Sequence, residues 1–484
     1  MSNPLNLSER RAGLTPEQRA KLAARMRGAA APATAETAIA PRSPSAPAPL
    51  SFAQQRQWFL WRLDPTSRAN HLSGGLKLSG RLDVAALHRA LEALARRHAS
   101  LRTTFRERED GSAEQVVLAS PGVELPLMDL AGQAMDDAAL RSACTEPFDL
   151  EQGPLWRTRL FKQGDDEHWL LVAMHHIISD AWSTQVILDD LGRLYREEVD
   201  GSPADMFTLP IDYRDYAEWQ RREVESVEVR RQLEYWRGRL GGVQPVLVVP
   251  TDRPRMAKQC AAAAQHDLAL PPALTDMLRK QAQASGGTLF MSLLAAFKGL
   301  LFRLTGESDL RIGVPIANRL RAETAGLVGF FVNTQVLRGV VDARMSLDRL
   351  LEIVRQASFD AQAHQDLPFE RLVEALQPER SVNQSPLFQV MFNHLRRDHR
   401  SLADWPNLRV RPWDLREWEA QFDLSLETVE AADGTVTATL IYAAELFEPT
   451  TIERLGDHYL AMLQALAEHP EQALGEVELA GEAE

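Results

Sequence analysis

The run Met174-His175-His176-Ile177-Ile178-Ser179-Asp180-Ala181-Trp182-Ser183 carries the side chains best suited to chemistry in this chain. An imidazole titrates near neutral pH and can accept or relay a proton. Asp180, placed a short turn beyond the two histidines, can fix a backbone N–H or bind an arginine. The apolar run Trp169-Leu170-Leu171-Val172-Ala173 before them reads as a buried strand, and Val186, Ile187, Leu191 and Leu194 after them recur at helical spacing. Successive side chains on a strand point to opposite faces, so His175 and His176 cannot both reach one substrate or one metal ion. One packs into the protein while the other projects into open space. That arrangement suits a lone catalytic imidazole held by its surroundings; the plain alternative is a pair of satisfied core histidines.

Composition narrows the chemistry. At 484 residues, with 45% hydrophobic and 25% charged residues, the chain is expected to be soluble and to form two domains. A net charge of -13 leaves no basic excess for neutralising phosphates, which argues against nucleic acid as a partner. Cys144 and Cys260 lie far apart without a CxxC, and no HExxH or carboxylate cluster is present, so no metal site is expected. No apolar run reaches membrane-spanning length and no signal-peptide pattern is present, so a reducing cytoplasm is the expected setting and no membrane partner is expected.

The elements that must position the histidines can be read along the chain. Residues 1–49 read as a short helix capped by Thr15, running to about Met26, followed by an Ala/Pro/Ser-rich tether. A first unit, 50–215, alternates strands (Leu72 to Leu78, Leu101 to Phe105, Gln115 to Leu118, Thr158 to Phe161) with helices after Asp83 and Asp136. A polar helix is expected from Ile211 to about Leu240, leading into a second unit, 216–484. There, helices over Leu274 to Ala284, Leu289 to Leu304, Leu347 to Ala363 and Pro449 to Glu468 alternate with strands at Leu310 to Arg319, from Gly326 to Thr334, Phe388 to Asn393, Asp423 to Val429 and Thr435 to Tyr442. Two α/β halves fit better than one continuous sheet.

Taken together, Ser51 to Leu60, His98 to Phe105, Met174 to Ser183, Tyr213 to Trp219, Ile312 to Arg319, Phe330 to Thr334 and His364 to Glu370 resemble the motifs of a nonribosomal peptide synthetase condensation domain, in that family's order, from about residue 50 to the end. The resemblance implies an α/β fold of two chloramphenicol-acetyltransferase-like lobes in a V, with a substrate tunnel between them. It implies an acyltransferase that joins a donor acyl thioester to the amine of an aminoacyl thioester. No cofactor is bound permanently; the substrates ride on coenzyme A or phosphopantetheine. A thioester is already activated, so no covalent nucleophile is needed, and no G-x-S-x-G elbow is present.

Carried over residue by residue, the resemblance makes His176 the general base or the positioner of the amine, and His175 a structural histidine. Asp180 is expected in a salt bridge, with Arg102 as preferred partner and Arg319 as second choice. Asn333, Gln365 and Ser385 are expected to line the tunnel, and Trp58, Tyr216, Trp219, Phe330 and Phe331 to pack. Ala181 departs from the glycine usual after the aspartate, a residue that permits φ > 0 or close backbone approach. The partners implied are a downstream peptidyl carrier protein and adenylation domain, the latter normally following the acidic tail Val477 to Glu484, and an acyl-coenzyme A or donor carrier protein. The excised domain is expected to be a monomer. Chain order suggests a starter domain that takes a fatty acyl group from coenzyme A. The alternatives are an internal elongation domain using a carrier-bound peptidyl donor, a stand-alone O- or N-acyltransferase of the same superfamily, and a non-catalytic recruitment platform, which would usually have lost the second histidine.

Overall fold

The computed structural model describes residues 38–43, 46–120, 122–133, 137–254, 262–377, 385–413, 415 and 419–479. The helix expected at Thr15 to Met26 and Cys260 lie outside these residues. The first lobe contains α1 (Phe52–Leu63), β1 (His71–Gly80), α2 (Val84–Arg97), β2 (Thr103–Glu107), β3 (Ala113–Val117), β4 (Leu127–Asp129), α3 (Asp137–Thr145), β5 (Trp156–Gly164), β6 (Glu167–His175) and α4 (Ala181–Asp200). Local chemistry sets these limits. Asp83 accepts the Ala86 N–H to start α2, whose Leu87, Leu91 and Leu94 face the core. Asp180 starts α4 in the same way, and Gly201 ends it at φ 70°.

The polar helix expected to reach Leu240 is two helices, α5 (Tyr213–Glu223) and α6 (Val227–Leu240). The break has a local cause: Ser226 is extended (φ -65°, ψ 157°) and accepts the Val229 N–H as a new N-cap. The second lobe then supplies β7 (Ala263–Ala269), α7 (Pro272–Ala284), α8 (Leu289–Thr305), β8 (Asp309–Ile316), β9 (Asn333–Val340), α9 (Leu347–Ala363), α10 (Phe369–Leu376), β10 (Val390–Arg397), β11 (Leu408–Trp413), β12 (Leu424–Ala431), β13 (Val436–Ala443) and α11 (Pro449–Glu468). Its sheet runs β7-β13-β12-β10-β8-β9, with β10 parallel to both β8 and β12. Helix α8 is buried almost throughout and forms the centre of that lobe's core.

Two expected boundaries need correction. The first-lobe sheet runs β11-β1-β6-β5-β4, so a strand from deep in the 216–484 unit pairs antiparallel with β1. In β11 the buried Leu408 and Val410 alternate with exposed Arg409 and Arg411, while Leu402 and Trp405 just before it enter the first-lobe core. Trp405 stacks on Tyr195 at 5.1 Å. The second correction concerns the tether assigned to residues 1–49. Among the described residues its end is docked: Ile39 and Ala48 are buried, and Ala48 accepts the Gln115 N–H at 2.8 Å. The Arg42 N–H bonds Asp215 at 2.8 Å. Small residues and prolines leave room for backbone pairing, and composition alone does not register it.

Candidate active site

Strand β6 ends at His175, and a single 3-10 turn, His176–Ile178, follows. The divergence expected of adjacent strand residues is realised. His175 is 3% exposed, with its ring edge-on to Phe148 and His71. Its Nδ1 accepts the Ile177 N–H at 3.1 Å, so that nitrogen carries no proton. Burial, reinforced by the neighbouring His71 and His176, holds its pKa well below the ordinary imidazole value.

His176 lies on the other side, part-buried, with its ring 4.5 Å from that of Phe330. Its Nδ1 lies 2.7 Å from the Ser179 carbonyl oxygen, an atom that can only accept. Nδ1 therefore holds the proton, and Nε2 presents a lone pair. Burial lowers the His176 pKa, while the bond to Ser179 and the charge of Asp180 pull it partly back. The imidazole is thus held neutral and in one tautomer.

Asp180 is fully buried and is used on both oxygens. Oδ1 accepts the Ser183 N–H at 2.7 Å and one Arg319 N–H at 3.1 Å; Oδ2 accepts the Phe331 N–H at 3.0 Å. The Arg319 side chain is 1% exposed; its other terminal N–H groups donate to the carbonyls of Thr324 and Leu327 and to Ser183 Oγ, all within 2.7 Å, while Nε is buried without a hydrogen-bond partner among the described residues. Ser183 Oγ in turn donates to the Gly329 carbonyl at 2.8 Å. Asp180 and Ser183 belong to the first lobe; Arg319, Gly329 and Phe331 belong to the second. The network therefore fastens the two lobes together directly behind the histidine turn.

The expected pairing of Asp180 with Arg102 is corrected. Arg102, at the end of a 3-10 turn, donates to the carbonyls of Ala95, Leu118 and Arg96, tying the end of α2 to the residue after β3, so its guanidinium is committed to backbone and not to Asp180. Arg319, the second choice, is the partner. Asn333 acts as a bracket: it donates to the carbonyls of Gln365 and Leu367 and accepts the Phe369 N–H at 2.9 Å. Gln365 is part-buried and meets Asn333 through its carbonyl, while Ser385 carries a buried hydroxyl without a hydrogen-bond partner among the described residues. Tyr216 and Phe331 pack, as expected, with Tyr213, Ile39 and Leu327 in a cluster between the lobes, and Trp58 packs in the first-lobe core.

Ala181 is the first residue of α4, exposed, and not among the residues with positive φ. Nothing in its backbone conformation requires glycine. Ala181→Gly is therefore expected to leave turnover within about twofold and to lower stability by no more than about 1 kcal/mol, the helix cost of glycine. Parallel melting curves and initial rates check this.

Sequence reading missed three supports. Gln54, inside the capping box that starts α1, donates to the Ile177 carbonyl at 3.2 Å. Tyr213 joins Ser51 Oγ at 2.9 Å and donates to the Phe330 carbonyl. Ser183 stands in the sequence only as the end of the histidine run, with no neighbour that marks it. All three lie inside recognised motifs, but their partners are far along the chain, so spacing held no signal for them. Among the described residues no group of three or more His, Cys, Asp or Glu side chains is placed to hold a metal ion.

The chain and its fold resemble known proteins. A family model for the condensation domain matches residues 45–484. The chain is 41% identical over 448 residues to one of the linear gramicidin synthase proteins of Brevibacillus parabrevis, covering 90% of this chain and 6% of that protein. It is 40% identical over 477 residues to phosphinothricin tripeptide synthetase PhsC of Streptomyces viridochromogenes, covering 96% of this chain and 43% of that protein. The chain thus spans less than half the length of these relatives. Among solved structures, the X-domain in complex with OxyB from teicoplanin biosynthesis is similar at a TM-score of 0.82 and 28% identity, over 93% of this chain and 100% of that one. The first condensation domain of the calcium-dependent antibiotic synthetase, in complex with a substrate analogue, shares the fold at a TM-score of 0.74 and 22% identity, over 90% of this chain and 100% of that one. The paired α/β lobes, the histidine turn between them and the match over nearly the whole chain agree: this chain belongs to the condensation domain family of nonribosomal peptide synthetases, acyltransferases that form amide bonds.

Proposed function

We propose that this domain transfers an acyl group from a donor thioester to the amine of an aminoacyl thioester held by a downstream peptidyl carrier protein, with His176 handling the amine proton. The observation that carries this reading is the Nδ1–H bond from His176 to the Ser179 carbonyl, which leaves Nε2 bare on the open side of the turn. The amine nitrogen attacks the thioester carbonyl carbon and the C–S bond breaks. The proton lost by nitrogen passes to Nε2 and from there to the departing sulfur. A positioned base of this kind contributes about 10²–10⁴-fold. Holding both tethered reactants in the space between the lobes, which serves as the tunnel, contributes more.

The donor is read as carrier-bound. Support comes from likeness to three linear gramicidin synthase proteins, 40–41% identical over 90% or more of this chain. The starter reading, in which coenzyme A delivers a fatty acyl group, is separated from it by one assay. Aminoacylated holo carrier protein is incubated with the domain and either acyl-coenzyme A or an acylated donor carrier protein, and the product is read by intact-protein mass. Acyl transfer from the donor carrier protein alone is the expected result. Transfer from coenzyme A establishes the starter reading, and no transfer from either removes both.

The pH dependence is a second expected outcome. The neutral imidazole is the working form, and burial moves the His176 pKa down from 6.5. The acid limb that His176 sets should therefore lie below pH 6.5, apart from the limb set by the acceptor's own ammonium group, which moves with amine basicity. Two acceptors of different amine basicity should share the His176 limb. A shared limb at or above pH 6.5 contradicts the assignment.

A further inference from the structure

His71 opens β1 directly opposite His175 in the antiparallel pair. The two rings stand edge-on, 6.0 Å apart at 67°. Phe148 closes the third side of the cluster, 4.9 Å from His71 and 6.2 Å from His175. Arg157 lies over the Phe148 ring at 4.1 Å, and Arg68 approaches from the preceding loop, donating to the Thr145 carbonyl at 2.8 Å. His71 Nδ1 is enclosed and has no hydrogen-bond partner among the described residues, while the ring bonds the backbone of Cys144. The adjacent Asn70 carbonyl accepts the backbone N–H of His176 at 2.8 Å. The same short segment thus touches the backbone of one histidine of the pair and the ring of the other.

We propose that His71 is a positioning residue for the histidine turn: its uncharged ring, wedged edge-on against His175, keeps His175 Nδ1 bare so that the Ile177 N–H stays seated and His176 keeps its proton on Nδ1. The effect on catalysis rests on the role of His176 given above; the effect on the turn does not. The geometry explains why the wedge must be neutral. A second proton on His71 would sit on the enclosed Nδ1, where no acceptor waits, and would set a positive charge against His175 within a wall that already holds Arg68 and Arg157. Burial, with those two arginines, lowers the His71 pKa to about 4, against the pull of the Cys144 bond. The wedge is therefore uncharged across the working pH range. Charging His175 instead would place an Nδ1–H against the Ile177 N–H, donor against donor, and open the turn.

The test compares His71→Phe, which keeps a flat neutral ring, with His71→Ala, which removes it, using the whole chain labelled with 15N at histidine. Ring-nitrogen spectra report the His176 tautomer, with the His176→Asn spectrum assigning the signals, and single-turnover rates report the chemistry. Wild type and His71→Phe are expected to show one protonated and one bare nitrogen at His176, with turnover alike within about twofold. His71→Ala is expected to average the two nitrogens and to slow turnover by roughly 10- to 100-fold at unchanged acceptor KM, the scale of loss a misplacement of about 1 Å produces. Should His71→Ala not fold, His71→Gln takes its place. An unchanged tautomer without the ring, or a His71→Phe protein as damaged as the truncation, overturns the proposal. If wild type forms no amide with any donor, the functional reading fails, while the nitrogen spectra still decide the role of His71.

Discussion

Asp180→Ala is expected to cost about 3–5 kcal/mol of stability, the range for removing one partner of a buried ion pair. The reason is what stays behind. Arg319 is 1% exposed, and burial already pushes its pKa down, with Asp180 the chief opposing influence. Without the carboxylate, the guanidinium keeps its charge and its carbonyl partners at Thr324 and Leu327, but the interior holds no counter-charge for it. The same change strips the N-cap of α4, worth about 0.5–2 kcal/mol, and leaves the buried Phe331 N–H without an acceptor, worth about 1–3 kcal/mol. These losses share one side chain and do not add. Asp180→Asn separates them: the amide oxygen can still accept from Ser183 or Phe331, so its cost reports mainly the charge. Pairing Asp180→Asn with Arg319→Met should recover part of the loss, since both charges then leave the interior together. Urea denaturation followed by circular dichroism reads these differences as midpoint shifts at constant slope. A loss under about 1 kcal/mol for Asp180→Ala would mean that the lobe junction is held by the Tyr213–Phe331 cluster and not by the ion pair.

Which parts of this site were legible beforehand follows from the range of each signal. The strand period sends His175 inward, and the strand end, also readable locally, lets the 3-10 turn carry His176 to the other side. The limits of α9 and α11 fall where the sequence places them, at Leu347–Ala363 and Pro449–Glu468, because long periodic helices carry strong internal patterns. The identity of the Asp180 partner is not local. Arg319 lies 139 residues away and reaches Asp180 only because the loop after β8 folds back across the lobe junction. Arg102 is preferred on the resemblance alone, and its contact with three backbone carbonyls leaves no sequence mark. The crossing of β11 was hidden for a related reason. A six-residue strand with Arg409, Arg411 and Pro412 reads as polar loop until β1 is known to need an edge partner.

His176→Ala should slow amide formation by about 10²–10⁴-fold, the usual worth of a positioned acid–base group, while leaving the melting temperature close to wild type. The second half of that expectation matters as much as the first. The ring of His176 has one hydrogen bond, from Nδ1 to the Ser179 carbonyl, and one packed face, against Phe330. The turn it stands on is held by other groups: the His176 N–H by the Asn70 carbonyl, the Ile177 N–H by His175, and the Ile177 carbonyl by Gln54. His175→Ala should show the reverse balance. It empties a wholly buried ring site between His71 and Phe148 and frees the Ile177 N–H, so stability should fall by about 3–5 kcal/mol, as for other large-to-small core changes, and activity should fall with it. Single-turnover acylation of a loaded carrier protein, run beside melting curves for both variants, separates the two roles. Equal stability losses in the pair, or a His176→Ala rate within about tenfold of wild type, would transfer the catalytic weight from the imidazole to the orientation of the tethered substrates, which then accounts for nearly all of the acceleration.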